Sequence, residues 1–79
     1  MTTRVRHVHP IVEALRMRRH QLRLSLDEVA RRMGSGNRSS VCGWEGGLHE
    51  PGLTSAEQWA AALGMELHLS ERGRGRSDD

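Results

Sequence analysis

Gly34 separates two short stretches of helical pattern, and neither is long enough to make a stable helix alone. Upstream, Leu26, Val29, Ala30 and Met33 recur at i, i+3, i+4 and i+7, which is one apolar face of a helix. Ser25 precedes them, with Glu28 three residues on. That is the spacing of a capping box, in which each side chain satisfies a backbone N–H. Gly34 is a stop signal, because the residue past a helix end often takes a left-handed backbone that glycine accepts. Ser35-Gly36-Asn37 reads as a turn. Downstream, Arg38 to Glu45 reads as a second helix whose apolar residues are Val41 and Trp44, three apart. The rest of its surface is polar or small. Packing must hold such a helix, so these two segments demand further helices to close on.

Those helices are legible on either side. Pro10 suits a first helical position, where a missing N–H costs nothing. A helix is expected from Pro10 to Leu22, with Ile11, Leu15 and Leu22 on its inner stripe. Another is expected from Thr54, with T-x-x-E spacing to Glu57 and a stripe of Ala56, Trp59, Ala60 and Leu63 ended by Gly64. Met65, Leu67 and Leu69 then alternate with Glu66 and His68, a period-two strand signal. The expected fold is all-α: a compact four-helix domain over residues 10–64 with a short C-terminal β-strand at 65–69. A basic arm covers 1–9, and a Gly- and charge-rich tail over 70–79 reads as disordered. The expected core is Leu15, Leu22, Leu26, Val29, Ala30, Met33, Val41, Trp44, Trp59 and Leu63.

Charge bears on partners. Residues 1–53 carry nine Arg against five acids, a net +4, while 54–79 carry three Arg against five acids, a net −2. An anionic partner therefore fits the first two-thirds. Every Lys/Arg cation is Arg, whose planar fork suits phosphate and guanine edges. With no Phe or Tyr, stacking on single-stranded bases is disfavoured. Trp44 and Trp59 sit at helical apolar positions and belong to the core. Arg31 and Arg32 lie opposite the apolar stripe of their helix and read as a solvated face. At 79 residues the chain is one domain at most. It shows neither a membrane-length apolar run nor the apolar core of a signal peptide, so cytoplasmic residence is expected, in a bacterial cell or a phage-infected host. The single Cys42 fits a reducing compartment. His7 and His9 are too few ligands for a defined metal site, and no constellation of residues points to an enzyme or a cofactor.

Leu24 to Leu63 resembles the lambda-repressor-like, Cro and C-repressor (XRE-type) helix-turn-helix family. The residues that carry the resemblance are LSLDEVARRMG, then VCGWEGGLHEP, then AEQWAAALG. The W-E-x-G-x-x-x-P match from Trp44 to Pro51 is the most specific. The chain departs from the family in three places. The turn from Gly34 to Arg38 is one residue longer, Leu26 stands where Gln is common, and Arg23 stands where a glycine is usual. The resemblance implies a DNA-binding domain that reads the major groove with its third helix. It places base-reading positions on Arg38, Ser39, Cys42 and Gly43. Asn37, Ser40 and His49 become phosphate contacts. It also implies a structural ion pair between Arg19 and Glu45. Apart from the resemblance, Arg4 and Arg6 in the basic arm are expected to add non-specific, salt-sensitive phosphate contacts.

Two functions follow as expectations. The first is a sequence-specific transcriptional regulator, a repressor of phage Cro or prophage-repressor type, acting on double-stranded operator DNA. The second is the DNA-binding antitoxin of a toxin–antitoxin pair, whose partner would be a toxin protein. A homodimer is expected through Met65, Leu67 and Leu69, because a lone strand leaves its backbone unpaired.

Overall fold

The computed structural model describes residues 8–34 and 37–71. These form four helices: α1 Pro10–Gln21, α2 Leu26–Met33, α3 Arg38–Glu45 and α4 Leu53–Ala62. Helix α2 packs against α3 and α4, and α1 packs against α3. No helix among the described residues is long and apolar enough to cross a membrane.

Helix α1 starts as its proline requires. His9 is the cap, and its Nδ1 accepts the Ile11 N–H at 3.0 Å, with Pro10 following at the first helical position. The inner stripe differs from expectation. Val12 and Leu15 are buried, whereas Ile11 and Leu22 are 44% and 38% exposed. The stripe is Val12, Leu15 and Arg19, at i, i+3 and i+7. A charged residue fills its third place, so apolar letters alone put the face one residue off.

The chain then reverses through Arg23, whose φ is +59°, in the left-handed region that favours glycine. The residue that departs from the family pattern thus sits where a glycine would be unstrained, at a cost of about 1–2 kcal/mol. Helix α2 follows with Ser25 as cap, its Oγ accepting the Glu28 N–H at 3.0 Å. The Glu28 carboxylate is drawn to Arg31 and to Arg32, the latter at 3.1 Å. Gly34 ends the helix at φ +84°.

Helix α4 is capped two residues earlier than its T-x-x-E pattern suggests. Gly52 is the cap, with no side-chain bond, and Thr54 lies inside the first turn. The apolar stripe does not depend on that start: Ala56, Trp59, Ala60 and Leu63 are all buried. Trp59 is fully enclosed and lies 5.4 Å from the Trp44 ring, tilted by 36°. Around this pair close Val12, Leu15, Val29, Ala30 and Val41, with Leu24, Leu26, Met33 and Met65 partly buried at the margin. The indole Nε1 of Trp59 has no hydrogen-bond partner among the described residues.

The C-terminal end of α4 is tied from two sides. Arg18 of α1 donates from Nε to the Leu63 carbonyl at 3.2 Å, and Arg32 of α2 donates from Nη1 to the Ala62 carbonyl at 3.4 Å. Cations there also meet the negative end of the helix dipole. Arg32 is therefore engaged with protein rather than being a purely solvated residue.

The strand expected over 65–69 does not form: the described residues contain no strand. Met65 folds back, its N–H reaching the Ala60 carbonyl at 2.8 Å, and packs against the core. Leu67 is 37% exposed and Leu69 wholly exposed. The described residues offer this segment no partner strand, and an unpaired strand gains nothing over irregular chain. The arm expected over 1–9 and the tail over 70–79 lie largely outside the described residues.

Candidate nucleic-acid interface

At 100° per residue, α3 divides into two arcs. Val41 and Trp44 face the core and are buried. Arg38, Ser39, Cys42, Gly43 and Gly46 share the opposite arc. An eight-residue helix with so few apolar side chains holds its place through its neighbours. The main tie is the pair that the family resemblance implies. Arg19 Nε donates to Glu45 Oε2 at 2.7 Å, and Nη2 donates to Oε1 at 2.8 Å. The fork is bidentate, the strongest geometry for such a pair. Its third arm, Nη1, donates to the Leu24 carbonyl at 2.8 Å. One guanidinium thus joins α1, the α1–α2 connection and the last residue of α3. The two side chains keep 12% and 9% of their surface exposed. The Glu45 hydrogen bond raises the Arg19 pKa further above its ordinary value. Burial works against this rise, while the Glu45 charge and, more weakly, Cys42 reinforce it. Arg19 stays cationic, with its stem packed and its head paired.

The N-terminal end of α3 is capped by Asn37, whose Oδ1 accepts the Ser40 N–H at 3.2 Å. This explains Asn37 by local structure, since a capping side chain satisfies an otherwise unpaired donor. Ser40 is half-buried. Arg38 is exposed and sits 3.6 Å from Asp27 of α2. Such an exposed pair contributes little, at most about 1 kcal/mol, and yields readily to a phosphate or a base. Asp27 was not anticipated as the partner of Arg38. Its place in the first turn of α2 explains it, since an acid there also favours the helix dipole. Ser39 and Cys42 are exposed.

Gly43 differs from its expected role. It lies on the outward arc yet is buried, because the His49 ring lies on it. A Cβ at residue 43 would stand 2.5 Å from His49 Nε2. The turn after α3 brings the ring there: the Gly46 N–H bonds the Cys42 carbonyl, Gly47 that of Trp44, and Leu48 that of Gly43 at 2.9 Å. Gly43 is therefore not itself open to a ligand. His49 is exposed and lies against the helix instead of standing apart in the loop. The signal for this contact was a glycine inside a short helix, where it is destabilising unless something approaches closely.

The electrostatic footprint is uneven. The described part of 8–53 holds seven Arg and five acids, so half of the +4 read from the sequence belongs to Arg4 and Arg6. Those two lie outside the described residues. Several surface arginines are matched locally: Arg16 with Glu13, Arg31 and Arg32 with Glu28, Arg38 with Asp27. Among the described residues no group of three or more His, Cys, Asp or Glu is placed to hold a metal ion. Away from α3, Ile11, Ala14, Leu53, Ala60, Leu67 and Leu69 line most of a largely apolar depression of about 520 Å³.

A scan against protein-family models, a search of curated proteins and a search of solved structures each find no match to this chain.

Proposed function

We propose that this chain is a sequence-specific DNA-binding transcriptional regulator, with α2 and α3 as a helix-turn-helix and α3 as the helix that enters the major groove. One observation carries the reading. Helix α3 is short and without intrinsic stability, yet it is locked in place by Val41, Trp44 and the Arg19–Glu45 fork while Arg38, Ser39 and Cys42 face outward. A scaffold that fixes a polar face so firmly suits a helix whose outer side chains must meet base edges in register. Arg38 is the principal reader, through bidentate bonds to guanine. Arg4 and Arg6 add salt-sensitive backbone affinity.

The test is selection of duplexes from a random pool by the purified chain. Arg38→Ala should weaken binding to the selected duplex by about 1–3 kcal/mol and relax preference at one base pair. Failure of the wild-type chain to enrich any sequence sinks the reading.

The regulator acts as a homodimer on this proposal. Leu53 is 85% exposed, Leu69 fully so and Ile11 44%, all beside one apolar depression. Isolated exposed leucines are ordinary, but a contiguous group marks an interaction surface. A second copy would bury these residues and pair the backbone at 65–69. A two-fold dimer matches operator half-sites roughly 34 Å apart. Leu67→Asp should shift the chain to monomer in sedimentation. A variant that stays dimeric places the interface elsewhere, and a wild-type chain that sediments with a stoichiometric foreign protein favours the antitoxin reading.

A further inference from the structure

The outward arc of α3 carries a side chain that does not belong to α3. Ser39, Gly43 and Gly46 follow one another along this arc, and the two glycines present no side chain of their own. The His49 ring fills the gap at Gly43, approaching with Nε2 foremost at 2.5 Å from where a Cβ would stand, with Cδ2 at 3.1 Å and Cε1 at 3.2 Å. Nδ1 and Cγ are left on the far side of the ring. The ring position is set by the backbone turn over 46–48 and by the missing Cβ of Gly43. A loop imidazole therefore stands one turn beyond Ser39, on the same arc.

We propose that His49 reads a base edge of duplex DNA from this place, with Gly43 as the positioning residue that admits the ring. The proposal rests on the reading of α3 as the DNA-contacting helix. Imidazole suits the task, since it can donate or accept at its ring nitrogens, and acceptors and donors line the major groove. It also accounts for two features with one cause: a glycine in the middle of an unstable helix, and a loop histidine laid on that glycine.

Two variants separate the contact from the fold. His49→Ala removes the ring. Gly43→Ala leaves the ring in the chain but pushes it off the helix. The ring is the far end of a flexible side chain, so it can give way, and alanine is the better helix former. Gly43→Ala should thus retain or raise thermal stability. In the free protein, His49→Ala should move the Gly43 Hα resonances, which now lie beside the ring. The DNA probe is a 30-base-pair duplex selected from a random pool by the wild-type chain, length being about three helical turns. Each variant should bind it about tenfold more weakly, the effect of losing one good hydrogen bond. Both should lose preference at the same single base pair, and the double variant should be no worse than either alone. Unchanged preference in His49→Ala overturns the proposal, as does a weakening uniform across sequences, which marks a backbone contact. So does a Gly43→Ala loss that persists in full when His49 is already alanine. If the wild-type chain enriches no duplex, it is the DNA-reading function itself that fails, before either variant is compared.

Discussion

Trp59→Ala should lower the unfolding free energy by about 3–5 kcal/mol. Trp59 is fully enclosed, and its ring bridges α4 to Trp44 of α3. Truncation leaves a void bounded by residues from all four helices, which a small domain cannot collapse around without moving its elements. A domain of this size has roughly 5–15 kcal/mol in total, so the variant should sit near the folding threshold at 37 °C. Urea denaturation followed by circular dichroism reads the effect. A loss below about 1 kcal/mol would show that the site refills and that Trp59 is not the centre of the core. Trp59→Phe should cost much less, because it removes an indole N–H that is buried without a partner as well as some volume.

Arg19→Ala should cost about 3 kcal/mol or more. The variant strands the Glu45 carboxylate, of which only 9% of the side-chain surface is exposed, and removes the donor to the Leu24 carbonyl. The comparison that gives this meaning is Arg16→Ala. Arg16 and Glu13 stand 3.7 Å apart with 38% and 45% of their side chains exposed, so that change should stay within about 0.5 kcal/mol. Equal losses in the two variants would show that the bidentate fork adds nothing beyond a surface pair. Replacing both partners, as Arg19→Met with Glu45→Leu, should recover much of the stability, because the large term is the orphaned charge and not the attraction itself. The fork is also secure on the alkaline side. A guanidinium whose pKa is raised in the folded state stabilises that state at every pH below the pKa of the unfolded chain, and loses its effect only as pH climbs through the folded value.

The helices were legible where spacing, cap and stop agreed. Ser25, the Leu26–Met33 stripe and Gly34 mark α2 to the residue, because three independent local signals coincide there. Val41, Trp44, Trp59 and Leu63 were legible as core for the same reason of spacing. The face of α1 was misplaced because hydrophobic periodicity sees letters, and Arg19 counts as polar until its partner 26 residues away is known. The start of α4 was misplaced because Thr54 can cap only if the chain turns at that residue, and it turns at Gly52. The strand at 65–69 was read from alternation, which records which side chains want burial but not whether a neighbour exists to pair with. In the candidate interface, Arg38, Ser39 and Cys42 face outward as their arc requires. A glycine inside a short helix signals a close approach at Gly43, but that His49 makes it was not legible, since this depends on a loop fold that six residues of sequence do not specify.

The two guanidinium bonds at the end of α4 have a mechanical consequence. Arg18 and Arg32 come from different helices and end on adjacent carbonyls, those of Leu63 and Ala62. Moving α1 or α2 away from the end of α4 would break one of these bonds, so the junction ties three helices at a braced corner. In the proposed dimer, the chain that leaves this corner at Gly64 is the stretch the second copy would pull on. Such a pull reaches α1 and α2 through the two guanidinium bonds. Because α1 and α2 both pack on α3, and Arg19 beside Arg18 holds Glu45, the braced corner and the setting of α3 share one frame, so strain at the end of α4 is felt by the helix that faces outward.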